Sequence, residues 1–272
     1  MDQPADHVEH RPRVLTGMTY DPSPIVEKSW KVFPVIEVFG PTIQGEGAMA
    51  GLPSHFIRFG GCDFSCHWCD SAHAVLVENV RAAEKLSVTE IVTRVLRLPD
   101  NSADWVTLSG GNPALHDLSK LVEMLHGNEF KVAVETQGSR WKDWLGSVDQ
   151  LTVSPKPPSS RMSNEYLPTF MNRAIGPFEW ATICLKVPVY DEEDLDFALG
   201  VHNQYPDVPF YISIVTEMGG LYGDFGDGRV DSAETLLARY QRVTQDVLRR
   251  GVPDVRIIPQ LHYLIWGNKI GV

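Results

Sequence analysis

Lysine and arginine are in short supply in this chain, 24 against 35 aspartates and glutamates, which leaves a formal net charge of −11. Tight binding to a phosphate backbone rests on such cations, so a nucleic-acid substrate is disfavoured. Long apolar runs are missing as well. None reaches the roughly 18 to 20 residues that span a bilayer, and the opening stretch MDQPADHVEHRPRV has no apolar core of a secretory signal. These absences lead us to expect a cytoplasmic protein with no membrane contact. Cysteine is rarer still, four residues in 272. In a reducing compartment, clustered thiols point to a metal or redox site rather than to disulfides. Hydrophobic residues, at 43%, are abundant enough for a sizeable core.

Three of the four cysteines fall within eight residues, at Cys62, Cys66 and Cys69 of FGGCDFSCHWCDS (59–71). The spacing CxxxCxxC admits two metal readings. Structural zinc takes four protein ligands, and His55, His67, His73 or Cys184 would have to complete the set. A cubane iron–sulfur cluster accepts three thiolates and leaves one iron open to a substrate or cofactor. Cys184 itself lies in an apolar stretch and reads as core.

Residues 1–31 show scattered proline, histidine and charge without periodicity, and we expect a flexible extension there. A single domain over 32–272 follows. In it SHFIRF (54–59), DWVTLSG (104–110), FKVAVET (130–136), QLTVSP (150–155), TICLKVPV (182–189) and PFYISIV (209–215) are short, rich in Val, Ile, Phe and Thr, and read as buried strands. Helices are expected between them. Ser87 and Glu90 have the spacing of a capping box, Asp117 is placed to cap a helix through Leu125, acidic residues open 191–205, and a longer helix runs from about Asp231 to Arg250 and ends at Gly251. Strands alternating with helices imply an α/β fold with a mostly parallel sheet, open or curled into a full or partial barrel. Ligand sites in such sheets lie at the carboxyl ends of the strands. Cys62, SGGNP (109–113), ETQG (135–138) and SPKP (154–157) all fall there.

With Trp68 directly before Cys69, the cysteine spacing resembles the signature of the radical S-adenosylmethionine (SAM) superfamily, and the three downstream motifs stand in that superfamily's order. The resemblance implies a partial (βα) barrel with a curved sheet, a 4Fe-4S cluster on Cys62, Cys66 and Cys69, and SAM chelated by the open iron. It further implies that electron transfer to SAM generates a radical that takes a hydrogen atom from the substrate. Trp68, Cys69, Asp70, Gly111, Asn112, Glu135, Ser154, Pro155 and Lys156 would then contact SAM. Asn112 stands where the superfamily usually has a glutamate, so a weaker, uncharged acceptor is implied.

EVFGPTIQGEG (37–47), SHFIRFGGC, SPKP, DEEDLDFA and the tail IPQLHYLIWGNKIGV together resemble 7-carboxy-7-deazaguanine synthases, from about Val35 to Val272. The reaction implied is ring contraction of 6-carboxy-5,6,7,8-tetrahydropterin with loss of ammonia, using SAM and magnesium. By this resemblance Ile43, Gln44, Gly45, Glu46, Arg58, Ser109 and Val272 meet the substrate, Pro259, Gln260 and His262 meet SAM, and Ser71 ligates Mg. Ser71 replaces a more usual threonine, and Gln137 a more usual asparagine. The residues agree with such a substrate: Arg58 offers a planar fork for its carboxylate, and Glu46 accepts from guanidine-like N–H groups. Otherwise Arg58 is a surface salt bridge and Ser71 a helix cap. A flavodoxin- or ferredoxin-like electron donor and a homodimer are further implications. Three other readings stand beside this one: a radical SAM enzyme on a different small heterocycle, a glycyl-radical activase, and a zinc-stapled binding module.

Overall fold

The computed structural model describes residues 31–99, 103–176, 182–217, 231–267, 269 and 271. The extension expected over 1–31 lies outside them except for Lys31. The elements are β1 (Val32–Ile43), β2 (Pro53–Phe59), α1 (Ala72–Val75), α2 (Val77–Ala82), β3 (Glu84–Ser87), α3 (Val88–Leu96), β4 (Trp105–Gly110), α4 (Ser119–Gly127), β5 (Lys131–Thr136), β6 (Gln150–Val153), α5 (Leu167–Ala174), β7 (Thr182–Val189), α6 (Glu192–Gln204), β8 (Phe210–Ile214), α7 (Ala233–Arg250), β9 (Val255–Ile258) and α8 (Leu261–Trp266).

The nine strands among the described residues form one sheet in the order β3-β1-β2-β4-β5-β6-β7-β8-β9. From β2 to β9 every pairing is parallel, whereas β1 is antiparallel to both β2 and β3. The two end strands are not paired with each other, so the sheet is an open, partial barrel rather than a closed one. The six expected strands are present. β1, β3 and β9 were not foreseen. β1 hides because prolines interrupt it: Pro41 lies where the β1–β2 register slips between Phe39 and Thr42, a place where the missing N–H costs no ladder bond.

Period-two alternation sorts the strands into a core face and a site face. Ile57, Leu108, Val134, Leu151, Leu185 and Ile212 are all at most 1% exposed and belong to the one hydrophobic core. Their neighbours Arg58, Ser109, Glu135, Thr152, Lys186 and Ser213 therefore point to the opposite face. Register keeps them adjacent: Arg58 pairs with Ser109, and Glu135 with Thr152.

Helix ends follow local chemistry. The Ser87 hydroxyl accepts from the Glu90 N–H while the Glu90 carboxylate accepts from the Ser87 N–H at 2.8 Å, completing the capping box. Asp191 caps α6 through the Asp194 N–H. α7 starts slightly later than expected, with Ser232 as its cap, and stops at Gly251 in the left-handed region. Asp117, the expected cap of α4, stands one residue before the observed N-cap Leu118 and accepts from the N–H and hydroxyl of Ser119.

Candidate active site

The cysteine loop leaves the end of β2 and is held by the glycine-rich turn after β4. Gly111 N–H donates to the Phe59 carbonyl at 3.0 Å and Asn112 N–H to the Gly61 carbonyl at 2.8 Å. A Cβ on Gly111 would lie 2.0 Å from the Gly61 oxygen, so only glycine allows this backbone contact. The close approach expected of SGGNP is thus made first to the cysteine loop.

Cys62, Cys66 and Cys69 all open onto one cavity of about 210 Å³. Burial pushes each thiol up: Cys66 to about 11, and Cys69 further because Asp70 adds its negative charge. Such thiols become ligands only when a bound metal centre displaces their protons. Among the described residues no three His, Cys, Asp or Glu side chains are grouped to hold a single metal ion. Cys184 is buried in β7 beside Gln150 and Thr152, and His73 faces Glu37 at 3.4 Å. Three thiols on one cavity, Cys66 buried and Cys62 and Cys69 half-buried, fit a cubane, which takes one thiolate per iron, whereas a zinc staple would need a fourth ligand that no such group supplies among the described residues.

Asn112 is where the structure departs from expectation. It is fully buried and does not line the cavity. Its Oδ1 accepts from the Ala114 N–H and the Thr136 hydroxyl, and its Nδ2 donates to Asp63 at 2.9 Å and to Ser139 at 3.1 Å. Four bonds exhaust an amide, so Asn112 has nothing left for a cofactor. Asp63 is the hub it serves, also accepting from Gln137 at 2.7 Å, Ser139 at 2.9 Å and Arg140 at 3.1 Å.

Opposite the thiols, Ile43, Gln44, Gly45 and Glu46 form a wall of the same cavity. Gly45 is pressed against α8: a Cβ there would meet His262 Nδ1 at 2.1 Å, and the Gly45 carbonyl accepts from the Leu261 N–H. Gln260 donates to Asp70 at 3.1 Å, so PQLH joins the TIQGEG loop to the cysteine loop. Lys186 Nζ stands 2.9 Å from Glu46 and 2.6 Å from Glu135, and Ser213 donates to Glu46 at 2.8 Å. Burial opposes ionisation of Glu46, but Lys186, with His262 and the Ser213 hydroxyl, outweighs it and brings its pKa down to about 2. Burial also works against the Lys186 ammonium, and the two glutamates raise its pKa regardless.

Arg58 lines the cavity with its Nε 2.5 Å from Glu37 and its Nη1 donating to Ser71 at 3.2 Å. Glu37 is held below the usual carboxylate range: burial acts against this, and the His73 hydrogen bond and the Arg58 charge prevail. Arg58 is therefore paired, but at the cavity and not at the surface. Ser71 occupies the position before α1 without making a cap bond, and its hydroxyl donates instead to Asp70 at 3.1 Å. Ser109 lines the cavity, and its buried hydroxyl has no hydrogen-bond partner among the described residues.

Trp68, Asp70, Gly111, Glu135 and Lys156 are also on the lining. The Trp68 indole N–H is anchored to Ser159 at 2.8 Å, which in turn donates to Asp194 of α6. Ser154 is fully buried and accepts from Lys156 at 2.9 Å, Pro155 is buried beside it, and neither lines the cavity. Gln260 borders an adjoining chamber of about 60 Å³, which Pro259 does not line. Val272 lies outside the described residues. Sequence reasoning missed Glu37, Asp63 and Lys186, and it weighed His73 only as a zinc ligand, not as the partner of Glu37. A lone lysine in TICLKVPV was the available signal, since a lysine inside a buried strand requires a partner.

The radical SAM superfamily model matches residues 56–164. The chain is 38% identical to the 7-carboxy-7-deazaguanine synthase of Bacillus cereus, covering 88% of this chain and 98% of that protein. It is 37% identical to that of Bacillus subtilis, covering 89% and 99%. Among solved structures, QueE from Escherichia coli shares the fold at a TM-score of 0.62 and 23% identity, over 85% of this chain and 95% of that one.

Proposed function

The chain belongs to the 7-carboxy-7-deazaguanine synthase family of the radical SAM superfamily, and from that premise we propose how its residues divide the work. It is a lyase that contracts 6-carboxytetrahydropterin to 7-carboxy-7-deazaguanine with release of ammonia, using a 4Fe-4S cluster and SAM. When bound, the cluster supplies the one electron that makes SAM reactive toward a substrate hydrogen.

Cys62, Cys66 and Cys69 hold the cluster in this reading. Glu135 and Lys156, with Trp68, Asp70, Gly111 and His262, bind SAM beside it, and Gln260 keeps Asp70 in place. Glu46 is ionised by its Lys186 partner and accepts the pterin N–H groups, while Arg58, aimed by Glu37, takes the pterin carboxylate. Ser109 offers its unpartnered hydroxyl to the ring, with Ile43, Gln44 and Gly45 forming the wall that receives it. Ser71, next to Asp70, ligates magnesium, an ion that accepts hydroxyl and carboxylate oxygens while retaining waters. The observation that carries this division is that the three thiols, Glu46 and Arg58 all line one cavity.

A flavodoxin- or ferredoxin-like donor delivers the electron, the chain works as a homodimer, and its place is the cytoplasm. No helix among the described residues is long and apolar enough to cross a membrane.

The test is anaerobic turnover with reconstituted protein, SAM, magnesium, reductant and 6-carboxytetrahydropterin, read by mass spectrometry. Product with only traces of 5′-deoxyadenosine supports the assignment. Abundant 5′-deoxyadenosine without deazaguanine would move the activity to another heterocycle.

A further inference from the structure

The amide of Gln137 lies between a carboxylate and a cluster cysteine. Its Nε2 donates to Asp63 Oδ1 at 2.7 Å and to Cys62 Sγ at 3.6 Å. An amide nitrogen carries two hydrogens, so one is spent on each partner. Gln137 is 6% exposed, follows the end of β5 and lines the cavity on the cysteine side. Asp63 is itself fixed by Asn112, Ser139 and Arg140, which leaves it no freedom to turn away. The carboxylate thus aims the glutamine, and the glutamine's second hydrogen is directed at the sulfur. The backbone N–H of Phe64 also reaches this sulfur, at 3.4 Å, so Gln137 adds a side-chain donor to a backbone one.

Hydrogen bonds to cluster sulfurs stabilise the more negative, reduced state and so raise the reduction potential, whereas a nearby carboxylate works the other way. We propose that Gln137 is a positioning residue that sets the potential of the 4Fe-4S cluster through its N–H···S bond to Cys62, with Asp63 as the group that orients it. The proposal rests on Cys62 being a cluster ligand. The reduction concerned is the one-electron step from the 2+ to the 1+ cluster, with the electron supplied by an external one-electron donor and no bond made or broken in the protein.

The experiment is a potentiometric titration of reconstituted, SAM-free protein against dithionite, followed by electron paramagnetic resonance of the reduced cluster. Iron content and SAM affinity are measured alongside. Gln137→Met keeps the side chain's length without a donor, and its midpoint is expected to shift to a more negative potential at unchanged iron content. Gln137→Asn retains the amide but is one methylene short of the sulfur, and a shift of the same sign is expected, which keeps the test usable if the methionine variant loads poorly. A midpoint equal to or above that of the unaltered protein in the loaded variants overturns the proposal. Unaltered protein that binds no iron would instead overturn the cluster assignment of Cys62, a result distinguishable from the first.

Discussion

Lys186 and Glu46 lie 140 residues apart in the chain and 2.9 Å apart in the fold, and the same ammonium reaches Glu135 at 2.6 Å. One cation on β7 thus joins the wall we assign to the substrate and the wall we assign to the cofactor. With the lysine removed, two carboxylates are left facing one another in a buried setting. Lys186→Met is expected to destabilise the fold by roughly 3–5 kcal/mol, the scale for breaking a buried pair on one side. Urea unfolding of the iron-free protein measures it. A change under about 1 kcal/mol would mean that water reaches these groups more freely than their burial indicates.

Acid should expose the same interaction from the other partner. Glu46 has its pKa lowered from an ordinary 4.5 to about 2 in the fold. A depressed carboxyl contributes stability that is fully present above the unfolded value and lost as pH falls toward the folded one. Unfolding free energy should therefore drop between about pH 5 and pH 2, with Glu46 accounting for on the order of 3 kcal/mol. Glu46→Gln should flatten that limb relative to the unaltered chain. Superimposable pH profiles for the two proteins would refute the assignment.

Two glycines predict opposite kinds of damage. Alanine at Gly111 places a Cβ against backbone, the Gly61 carbonyl, which cannot yield without moving the cysteine loop. Alanine at Gly45 meets chiefly the ring of His262, a side chain that can swing aside, with the His262 backbone nitrogen at 3.0 Å needing to give only slightly. Gly111→Ala should lose about 2 kcal/mol or more of stability and reconstitute with little iron, as overpacking against fixed atoms does. Gly45→Ala should melt within a few degrees of the unaltered protein and still bind iron, yet bind ligands at least several-fold more weakly. Iron content and thermal melting separate the two, and equal behaviour would contradict both contacts.

Arg58 and Glu37 predict a graded loss. Arg58→Ala should weaken binding of the carboxylated pterin by roughly 2–5 kcal/mol, the scale for truncating a buried charge-assisted contact. Glu37→Gln leaves the guanidinium in place but loosens its aim, so a smaller loss is expected. SAM affinity should barely change in either. Calorimetry with each ligand decides it, and parallel losses of both affinities would make Arg58 a structural residue.

Much of the fold could be read directly. Short β-branched runs alternating with capped amphipathic segments fixed six strands and four helices, because period-two and helical spacing are local properties. β1 was not recognised, since Pro34 and Pro41 disguise it and its outer partner β3 lies some forty residues further along the chain. At the site, the loops carrying the thiols, Glu46 and PQLH were legible from their motifs. The pairings of those residues were not, because nothing local to Glu37, Asp63 or Lys186 says which distant group each will meet.

The sequence by itself determined that three thiols would be offered close together at a strand end, that glycines would permit tight turns behind successive strands, and that the sheet would be mainly parallel. Each follows from neighbours along the chain. The tertiary structure alone decided which polar groups face one another. Register set Lys186 between Glu46 and Glu135, and competition among donors turned Asn112 away from the cavity and toward Asp63, while Gln137 was directed at Cys62. Such choices depend on distances between elements far apart in sequence, where a buried polar atom takes whichever partner the fold brings within reach.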